Sequence, residues 1–302
     1  MIDVITIGET LATVRSDTVE PLSIGSHLRL SIAGAESNVA IGLARLGHSV
    51  RWVGCVGDDE FGRLLLRTLR AEGVDTSFAK VIGAPTALLV KHQRLAHVSR
   101  VSYYRKDSAG SRLDRELAVS ALAPRPRLLH ATGVTAALGE PARDALAAAF
   151  EEAGRHGAHI SLDVNYRSAL WPRDDAADAL RPLAALVDTV FASEDELELI
   201  APAPENATIV VKRGAEGAGV AGPEGVWEEE AIDVAAVDTV GAGDAFVAGY
   251  LSALLDGLDP PSRLKRGCAT AAFAVSTNGD WEGLPTRDEL PLLELDANTT
   301  LR

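Results

Sequence analysis

The sequence predicts an α/β fold: a three-layer αβα sandwich built on a mostly parallel, doubly wound sheet, with a small β lid. Two patterns support this prediction. Short runs rich in Val and Ile alternate with longer Ala- and Leu-rich helical patterns. The apolar residues of the short runs are nearly continuous, which is typical of parallel strands covered on both faces. In such folds the ligand lies in a crevice at the carboxyl ends of the strands.

The predicted strands and helices follow from these runs in chain order. The helical segment SNVAIGLARLG has Ser37 as its predicted N-cap and Gly47 as its stop. The segment PARDALAAAFEEAG starts at Pro141 and closes at Gly154. Buried strands are predicted at Val4–Gly8, Val50–Gly57, Leu128–Gly133, His159–Tyr166, Thr189–Ser193 and Thr208–Gly214.

Two stretches depart from this alternation, residues 11–32 and 86–105. They are strand-like but more polar, and no helical pattern interrupts them. They predict a small antiparallel layer that forms a lid over the crevice. Because the chain has neither an internal repeat nor a long linker, we expect residues 1–302 to form a single domain. Exposed strand edges on the lid favour a homo-oligomer, a dimer or higher.

Composition limits the partners. The chain has 302 residues and a formal net charge of −14, which argues against nucleic acid and anionic membranes. Cys55 and Cys268 and the seven histidines lack metal-ligand spacing, and the cysteines are predicted to be core thiols. The N-terminus has a strand pattern rather than a signal-peptide pattern, and no apolar run reaches the ~18 residues of a membrane span. These features predict a cytoplasmic location.

The segment AVDTVGAGDAF, residues 236–246, places two glycines before an apolar helical run. Phe246 stands where a dinucleotide fingerprint has its third glycine, and the Lys-Ser/Thr ending of a Walker loop is missing. The amides of Gly241, Ala242 and Gly243, here called the glycine turn, converge at the positive end of the predicted helix and favour an anion. Asp244 then either caps this helix or is a base for an incoming hydroxyl during phosphoryl transfer.

The segment DTVGAGDAF, residues 238–246, resembles the C-terminal signature of the ribokinase-like (PfkB) family of sugar kinases. GAESNVAIGLARLG, residues 34–47, resembles the N-terminal signature and leads into VGCVGDDEFG, which ends at Gly62. VKRGAEGA, residues 211–218, is similar to the family's nucleotide-binding strand and turn. The resemblance covers essentially the whole chain. It implies a ribokinase-like fold that uses ATP and Mg²⁺, and it leaves activation by a monovalent cation such as K⁺ open.

Within that family, three stretches are most similar to 2-keto-3-deoxygluconate kinases: SYYRKDSAGS (102–111), SLDVNYRSALW (161–171) and GDWEGLP (279–285). The resemblance implies that Asp244 is the catalytic base and that Glu196 helps to organise magnesium indirectly. The implied substrate-binding residues are Gly34, Ala35, Glu36, Ser37, Asn38, Tyr103, Tyr104, Arg105, Arg167, Asp244 and Asp280. The implied nucleotide-binding residues are Asn165, Arg167, Lys212, Arg213, Gly214, Ala215, Glu216, Gly217, Gly241, Ala242, Gly243 and Asp244.

Charge also supports a sugar-acid substrate, and the alternative is that Arg105 and Arg167 are surface residues in ion pairs worth at most ~1 kcal/mol. A strongly acidic protein that binds an anionic substrate must place cations locally against its own field. Arg105 and Arg167 stand where the family has substrate contacts, and a guanidinium fork suits a carboxylate. Asp163, Asn165 and Arg167 alternate along one predicted strand, which indicates that they share a face near its carboxyl end.

Two departures from the family pattern leave alternatives open. Leu89 stands where the family often has a sugar-binding Tyr, so the exact sugar acid and its epimer stay open. Ser193 replaces the Asn of an Asn-x-x-Glu motif that is tied to magnesium and phosphate. The alternatives are a family kinase for fructose, ribose or a nucleoside, and a catalytically silent sugar-acid sensor. A dinucleotide oxidoreductase is disfavoured by the missing third glycine.

Overall fold

Strands and helices alternate along most of the chain, as the apolar pattern predicts. The computed structural model describes residues 2–16, 18–95 and 98–295. The strands are β1 (Val4–Ile7), β2 (Leu11–Ser16), β3 (Leu28–Ala33), β4 (Val50–Gly57), β5 (Ala79–Ile82), β6 (Leu88–Leu95), β7 (Val98–Tyr104), β8 (Leu128–Thr132), β9 (His159–Asp163), β10 (Thr189–Ser193), β11 (Thr208–Lys212), β12 (Ala218–Gly222) and β13 (Gly225–Glu229).

The helices lie between these strands and after the last of them. They are α1 (Ala35–Arg45), α2 (Glu60–Ala71), α3 (Arg115–Ser120), α4 (Gly133–Ala136), α5 (Glu140–Arg155), α6 (Arg173–Ala184), α7 (Ala242–Leu255) and α8 (Pro260–Val275). Short 3₁₀ turns occur at Ala109–Arg112, Glu194–Ile200, Gly214–Glu216 and Arg287–Glu294.

Nine strands form the central sheet, in the order β13-β12-β11-β10-β9-β8-β1-β4-β5. The strands from β11 to β5 pair in parallel, and β12 and β13 extend the edge as antiparallel strands. Apolar clusters cover both faces: α5 and α6 pack on the side of Ile5 and Ile7, and α1, α7 and α8 on the side of Val4. The predicted three-layer αβα sandwich is confirmed.

A separate four-stranded sheet, in the order β3-β2-β6-β7, forms the lid. It arises from the two polar stretches that the sequence set apart; of these, Asp17, Ala96 and His97 lie outside the described residues. The prediction of a purely antiparallel layer is wrong, because β2 and β6 pair in parallel. Because β2 and β6 come from distant parts of the chain, the backbone passes between the lid and the central sheet more than once.

Two local predictions fail for backbone reasons. α1 begins at Ala35 with Gly34 as its N-cap, and Ser37 lies inside the helix, where its Oγ donates to the Gly34 carbonyl (2.9 Å). The chain turns at Gly34, where a Cβ would lie 2.4 Å from the Glu9 carbonyl oxygen. β9 ends at Asp163 instead of continuing to Tyr166, since Asn165 has a left-handed φ of 40°. Asp163, Asn165 and Arg167 therefore do not alternate along one strand.

Two further observations concern the cysteines and the lengths of the helices. Both cysteines, Cys55 and Cys268, are free and buried, as predicted for core thiols. Within residues 2–16, 18–95 and 98–295, every helix is too short or too polar to cross a membrane.

Candidate active site

A cavity of about 730 Å³ lies between the lid and the carboxyl ends of the central strands. A second cavity of about 560 Å³ adjoins it, and Lys212, Thr239 and Gly243 line both. The first cavity brings together most of the predicted site residues: Gly34, Ala35, Asn38, Tyr103, Arg105, Asn165, Arg167, Glu196, Lys212, Gly241, Gly243, Asp244 and Asp280. The second cavity collects Gly214, Ala215, Gly217 and Ala242.

Asp244 lies in the first turn of α7, and its side chain faces the first cavity. The N-cap of this helix is Gly241, so the interpretation of Asp244 as the cap is wrong. Oδ2 of Asp244 accepts a hydrogen bond from Nδ2 of Asn38 (2.8 Å), and Oδ1 accepts one from Nδ2 of Asn165 (3.2 Å). The carboxylate is therefore held by two amides, one on α1 and one in the segment that follows β9.

Burial raises the pKa of Asp244 to about 6; the hydrogen bond from Asn38 opposes this rise, and the negative charge of Asp163 adds to it. Arg167 and Lys212 lie close enough for their positive charges to lower the same pKa. A carboxyl group with a raised pKa is a stronger base than an ordinary aspartate and is still mainly ionised at neutral pH. These properties suit proton removal from a hydroxyl group.

An ion pair continues this network away from Asp244. Nζ of Lys212 donates to both carboxylate oxygens of Asp163, at 2.7 and 2.6 Å, and Nδ2 of Asn165 lies 3.4 Å from Asp163 Oδ2. Asp163 is almost fully buried, so Lys212 supplies the charge that it needs. Lys212, on the wall shared by the two cavities, is thus fixed at its ammonium group.

Within the glycine turn, the surroundings of Gly241 leave no room for a side chain. Its φ is 77°, and a Cβ would lie 2.0 Å from the carbonyl oxygen of Asp280. The helix itself does not use the amides at this end of α7, although the Ala242 amide donates to the Thr239 carbonyl at 3.4 Å. Gly241 and Gly243 line the first cavity, and Ala242 and Gly243 line the second. The close contact also fixes Asp280 against the glycine turn.

Gly241→Ala is therefore expected to destabilise the protein more than Gly257→Ala. Gly257 has nearly the same φ, 75°, but open space around a Cβ. Both variants carry the left-handed strain of about 1–2 kcal/mol, and only Gly241→Ala also displaces the Asp280 backbone. Urea unfolding of the two variants measures the difference. Equal losses of unfolding free energy would contradict the close contact.

The two predicted anion-binding arginines differ in their partners. Arg105 Nη2 donates to Glu9 Oε2 at 2.5 Å, and Ser108 donates to Glu9 Oε1 at 2.8 Å. Nε of Arg105 is buried and has no partner among the described residues. The guanidinium of Arg167 forms neither a hydrogen bond nor an ion pair within the described part of the chain. Arg167 is therefore the cation of this cavity that is free to bind an anion.

Five predicted site residues lie outside both cavities: Glu36, Ser37, Tyr104, Arg213 and Glu216. Tyr104 is 65% exposed because side chains alternate along β7, so that Tyr103 faces the cavity and Tyr104 faces outward. Arg213 instead pairs at the surface with Glu194 and Glu228, both at 2.9 Å. The ring of Tyr103 lies 5.7 Å from the guanidinium carbon of Arg105.

Glu36 is fully buried and lines neither cavity. Its Oε1 accepts hydrogen bonds from the Thr132 amide (3.0 Å), the Thr132 hydroxyl (2.7 Å) and the Thr135 hydroxyl (2.6 Å). Burial raises its pKa to about 7, and the two threonine hydroxyls oppose that rise. Glu36 therefore ties the start of α1, which carries Asn38, to the end of β8.

Sequence reasoning missed the cations on the inner face of the lid. Arg15 lies opposite Lys91 in the pairing of β2 with β6, and both line the cavity. Their side chains reach Asp238 Oδ2, at 3.9 Å from Arg15 Nη1 and 3.3 Å from Lys91 Nζ. In the sequence, the alternation of Leu11, Thr13 and Arg15 along β2 indicates that these side chains share one face of the lid sheet. It does not indicate whether that face points into the cavity.

Asp280 and the missed Glu282 line the cavity on the side of α1. The pKa of Asp280 is raised to about 7, first by burial and then by the charges of Asp244 and Glu282, and the charge of Lys91 opposes this rise. Oε1 of Glu282 accepts a hydrogen bond from the hydroxyl of Ser31, on the lid, at 2.7 Å. This segment thus connects the lid to the body.

Glu196 lines the cavity and also shapes it. Its two carboxylate oxygens accept the amides of Tyr166 (2.6 Å) and Ser193 (2.8 Å), which fixes the chain between Asn165 and Arg167. Among the described residues, no group of three or more His, Cys, Asp or Glu side chains could enclose a metal ion. Magnesium commonly binds one or two carboxylates together with water and phosphate oxygens. Glu196 therefore fits a magnesium ion only if water molecules and phosphate oxygens supply the other ligands.

Similarity to known proteins extends over nearly the whole chain. A model of the pfkB family of carbohydrate kinases matches residues 1–287. The chain is 38% identical over 309 residues to the 2-dehydro-3-deoxygluconokinase of Thermoproteus tenax, an alignment that covers 96% of this chain and 93% of that protein.

Solved structures share the fold. The structure of a PfkB protein from Polaromonas sp. JS666 has a TM-score of 0.85 and 35% identity, over 96% of this chain and 99% of that one. A fructokinase from Xylella fastidiosa with bound ATP has a TM-score of 0.85 and 25% identity, over 97% of this chain and 98% of that one.

Proposed function

This chain belongs to the pfkB family of carbohydrate kinases, and we propose that it is an ATP-dependent sugar-acid kinase that converts 2-keto-3-deoxygluconate to 2-keto-3-deoxy-6-phosphogluconate. The observation that carries this proposal is the guanidinium of Arg167, which has no partner among the described residues and lines the cavity of Asp244. In a protein of net charge −14, such a cation suits an anionic substrate. The relative from Thermoproteus tenax, whose name refers to the same compound, supports this substrate.

Asp244 is the proposed catalytic base. Its carboxylate accepts the proton of the terminal hydroxyl of the sugar acid as that oxygen becomes a nucleophile. Asn38 and Asn165 orient the carboxylate through their Nδ2 groups. The amides of Gly241, Ala242 and Gly243 stabilise negative charge that develops next to Asp244.

The sugar acid is proposed to bind in the first cavity. Arg167 donates hydrogen bonds to its carboxylate, and Arg105, whose Nη2 is held by Glu9, lines the same cavity and adds positive charge. Asn38 and Asn165, which orient Asp244, line the same cavity beside the hydroxyl groups of the sugar acid. Tyr103 on the lid and Asp280 complete the contacts, and the lid excludes water from them.

The second cavity is proposed to hold ATP. Its lining is largely apolar, including Ile232, Val234, Phe246 and Val275, which suits a purine base, and Lys212 lies at the boundary where the phosphates would pass. Bound ATP supplies the phosphoryl group, and Mg²⁺ offsets the charge of its phosphates. The fructokinase from Xylella fastidiosa, which binds ATP, supports this assignment.

Coupled ADP-release assays across a panel of sugar acids and neutral sugars, each with and without K⁺, test the proposal. We expect the highest kcat/KM with 2-keto-3-deoxygluconate or its C4 epimer and much lower values with fructose, ribose and nucleosides. If a neutral sugar is the best substrate, the sugar-acid assignment is wrong, and the assignment of the protein as a sugar kinase stands. Absence of turnover with every compound, together with tight sugar-acid binding, would favour a catalytically silent sensor.

We also propose that the chain forms a homo-oligomer, a dimer or higher, through the lid. The outer face of the lid exposes Leu28, Leu30 and Tyr104 at 45%, 50% and 65%, which is costly for an isolated sheet. Leu30→Glu is expected to lower the mass measured by light scattering. Val226→Glu, which changes an exposed residue of β13 outside the lid, is the matched control. A monomeric wild-type protein would contradict the proposal.

A further inference from the structure

Arg45 is the last residue of α1 and has no role in the proposed mechanism. Its side chain contacts residues 281–284, more than 230 positions away in the chain. These residues follow Asp280 directly, and we call residues 280–284 the Asp280 turn. α1 therefore bears on the first cavity at both ends, through Asn38 at its start and through Arg45 at its end.

The contacts of Arg45 form a clamp on backbone atoms. Nη1 donates to the carbonyl oxygens of Trp281 (3.4 Å), Glu282 (3.2 Å) and Leu284 (2.6 Å). The guanidinium carbon lies 5.4 Å from the centre of the Trp281 ring. Nε is used separately, in an ion pair at 2.8 Å with Glu72, the residue that follows the last turn of α2. The carbonyl contacts and the ion pair can therefore be removed independently.

Asp280 needs such a clamp. Within the described part of the chain its carboxyl group forms neither a hydrogen bond nor an ion pair, so the backbone of the turn alone sets its position in the cavity. Other contacts of the Asp280 turn reach the lid: the indole N–H of Trp281 donates to the Ile32 carbonyl (3.2 Å), and Glu282 accepts from Ser31 (2.7 Å). Displacement of the turn would move Asp280 and the inner edge of the lid together.

We propose that Arg45 is a positioning residue for the sugar half of the site, and that it acts by fixing the Asp280 turn. It does not touch the substrate. The second cavity shares no residue with this turn, although Asp280 contacts Gly241 of the glycine turn, so loss of the clamp is expected to affect the sugar half more than the nucleotide half. The proposal rests on the proposed function only for the choice of sugar acid, since the same effect is expected with whichever sugar the wild-type enzyme phosphorylates best.

Arg45→Met tests the clamp, because methionine keeps an unbranched apolar stem and removes every donor. We expect the KM for the sugar to rise about tenfold, a smaller change in kcat, and a KM for ATP within about twofold of the wild type. Glu72→Gln is the matched control: it removes the ion pair and leaves the carbonyl contacts. The control should show unchanged KM values for both substrates.

Arg45→Lys keeps the test decisive if Arg45→Met does not fold. One ammonium group cannot span the three carbonyls and Glu72 together, so its KM for the sugar is expected to lie above that of the wild type while its KM for ATP stays within about twofold. A folded Arg45 variant with a wild-type KM for the sugar overturns the proposal. Equal rises of both KM values, or the same effect in Glu72→Gln, also overturn it. Wild-type turnover in the substrate panel, measured separately, decides the proposed function.

Discussion

Asp244→Asn is expected to lower kcat by about 10²–10⁴-fold, the usual contribution of a general base, and to leave the KM values for sugar acid and ATP little changed. The amide is nearly the same size as the carboxylate and cannot accept the hydroxyl proton. It keeps one acceptor for Asn38 or Asn165, which now hold the two carboxylate oxygens. The chemical step is therefore removed while the walls of the cavity remain. Steady-state kinetics with both substrates, together with a thermal melt, measure these effects.

Asp178→Asn is the matched control, because it makes the same chemical change on a highly exposed side chain of α6. It should have wild-type kcat and KM values. Full activity of Asp244→Asn would rule out the proposed base. A loss of activity that parallels a loss of folded protein would instead assign Asp244 to stability.

The pH dependence of the wild-type enzyme follows from the same residue. The base must be ionised, and burial raises the pKa of Asp244 to about 6. As the pH falls through 6, protonation removes the base, so kcat/KM is expected to fall about tenfold for each further pH unit. At pH 7 and above, protonation of Asp244 no longer limits the rate. An acidic limb near pH 4, where an ordinary aspartate titrates, would contradict the buried environment of Asp244.

Local patterns were sufficient for much of the fold and part of the site. β4 and β10 have the predicted bounds, because buried parallel strands are short apolar runs with sharp ends. The start of α7 after Gly241, with Asp244 in its first turn, was also predictable, since the glycines and the apolar run are neighbours in the chain. These features depend on a few consecutive residues, and a sequence contains that information directly.

Features that depend on distant residues were not predictable in the same way. Glu36 lies in a motif of substrate contacts, yet its partners Thr132 and Thr135 belong to a different strand and helix. Arg15 and Lys91 meet only because β2 and β6 pair in parallel. Neither polarity nor spacing distinguishes such a residue from a surface charge, because burial is decided by the tertiary packing.

Substitutions of Arg167 and Arg105 both test the sugar-acid assignment, but their results differ in how directly they report on substrate binding. Arg105 neutralises Glu9, whose side chain is 1% exposed, so Arg105→Ala leaves a buried carboxylate without its cation and lowers stability as well as binding. Arg167 has no partner to lose among the described residues, and a change in binding can be assigned to the substrate itself. Arg167→Ala is therefore the more informative variant.

Arg167→Ala is expected to raise the KM for the sugar acid by about 10–100-fold, because hydrogen bonds to a charged group contribute about 1.5–3 kcal/mol and each 1.4 kcal/mol is about tenfold. Arg167→Lys keeps the charge without the fork and should lie between this variant and the wild type. Arg181→Ala, on the exposed face of α6, is the control. If Arg167 binds the carboxylate, the KM for a neutral sugar such as fructose should stay within about twofold of its wild-type value. An equal loss for both substrates would show that Arg167 supports the cavity and does not select for a sugar acid.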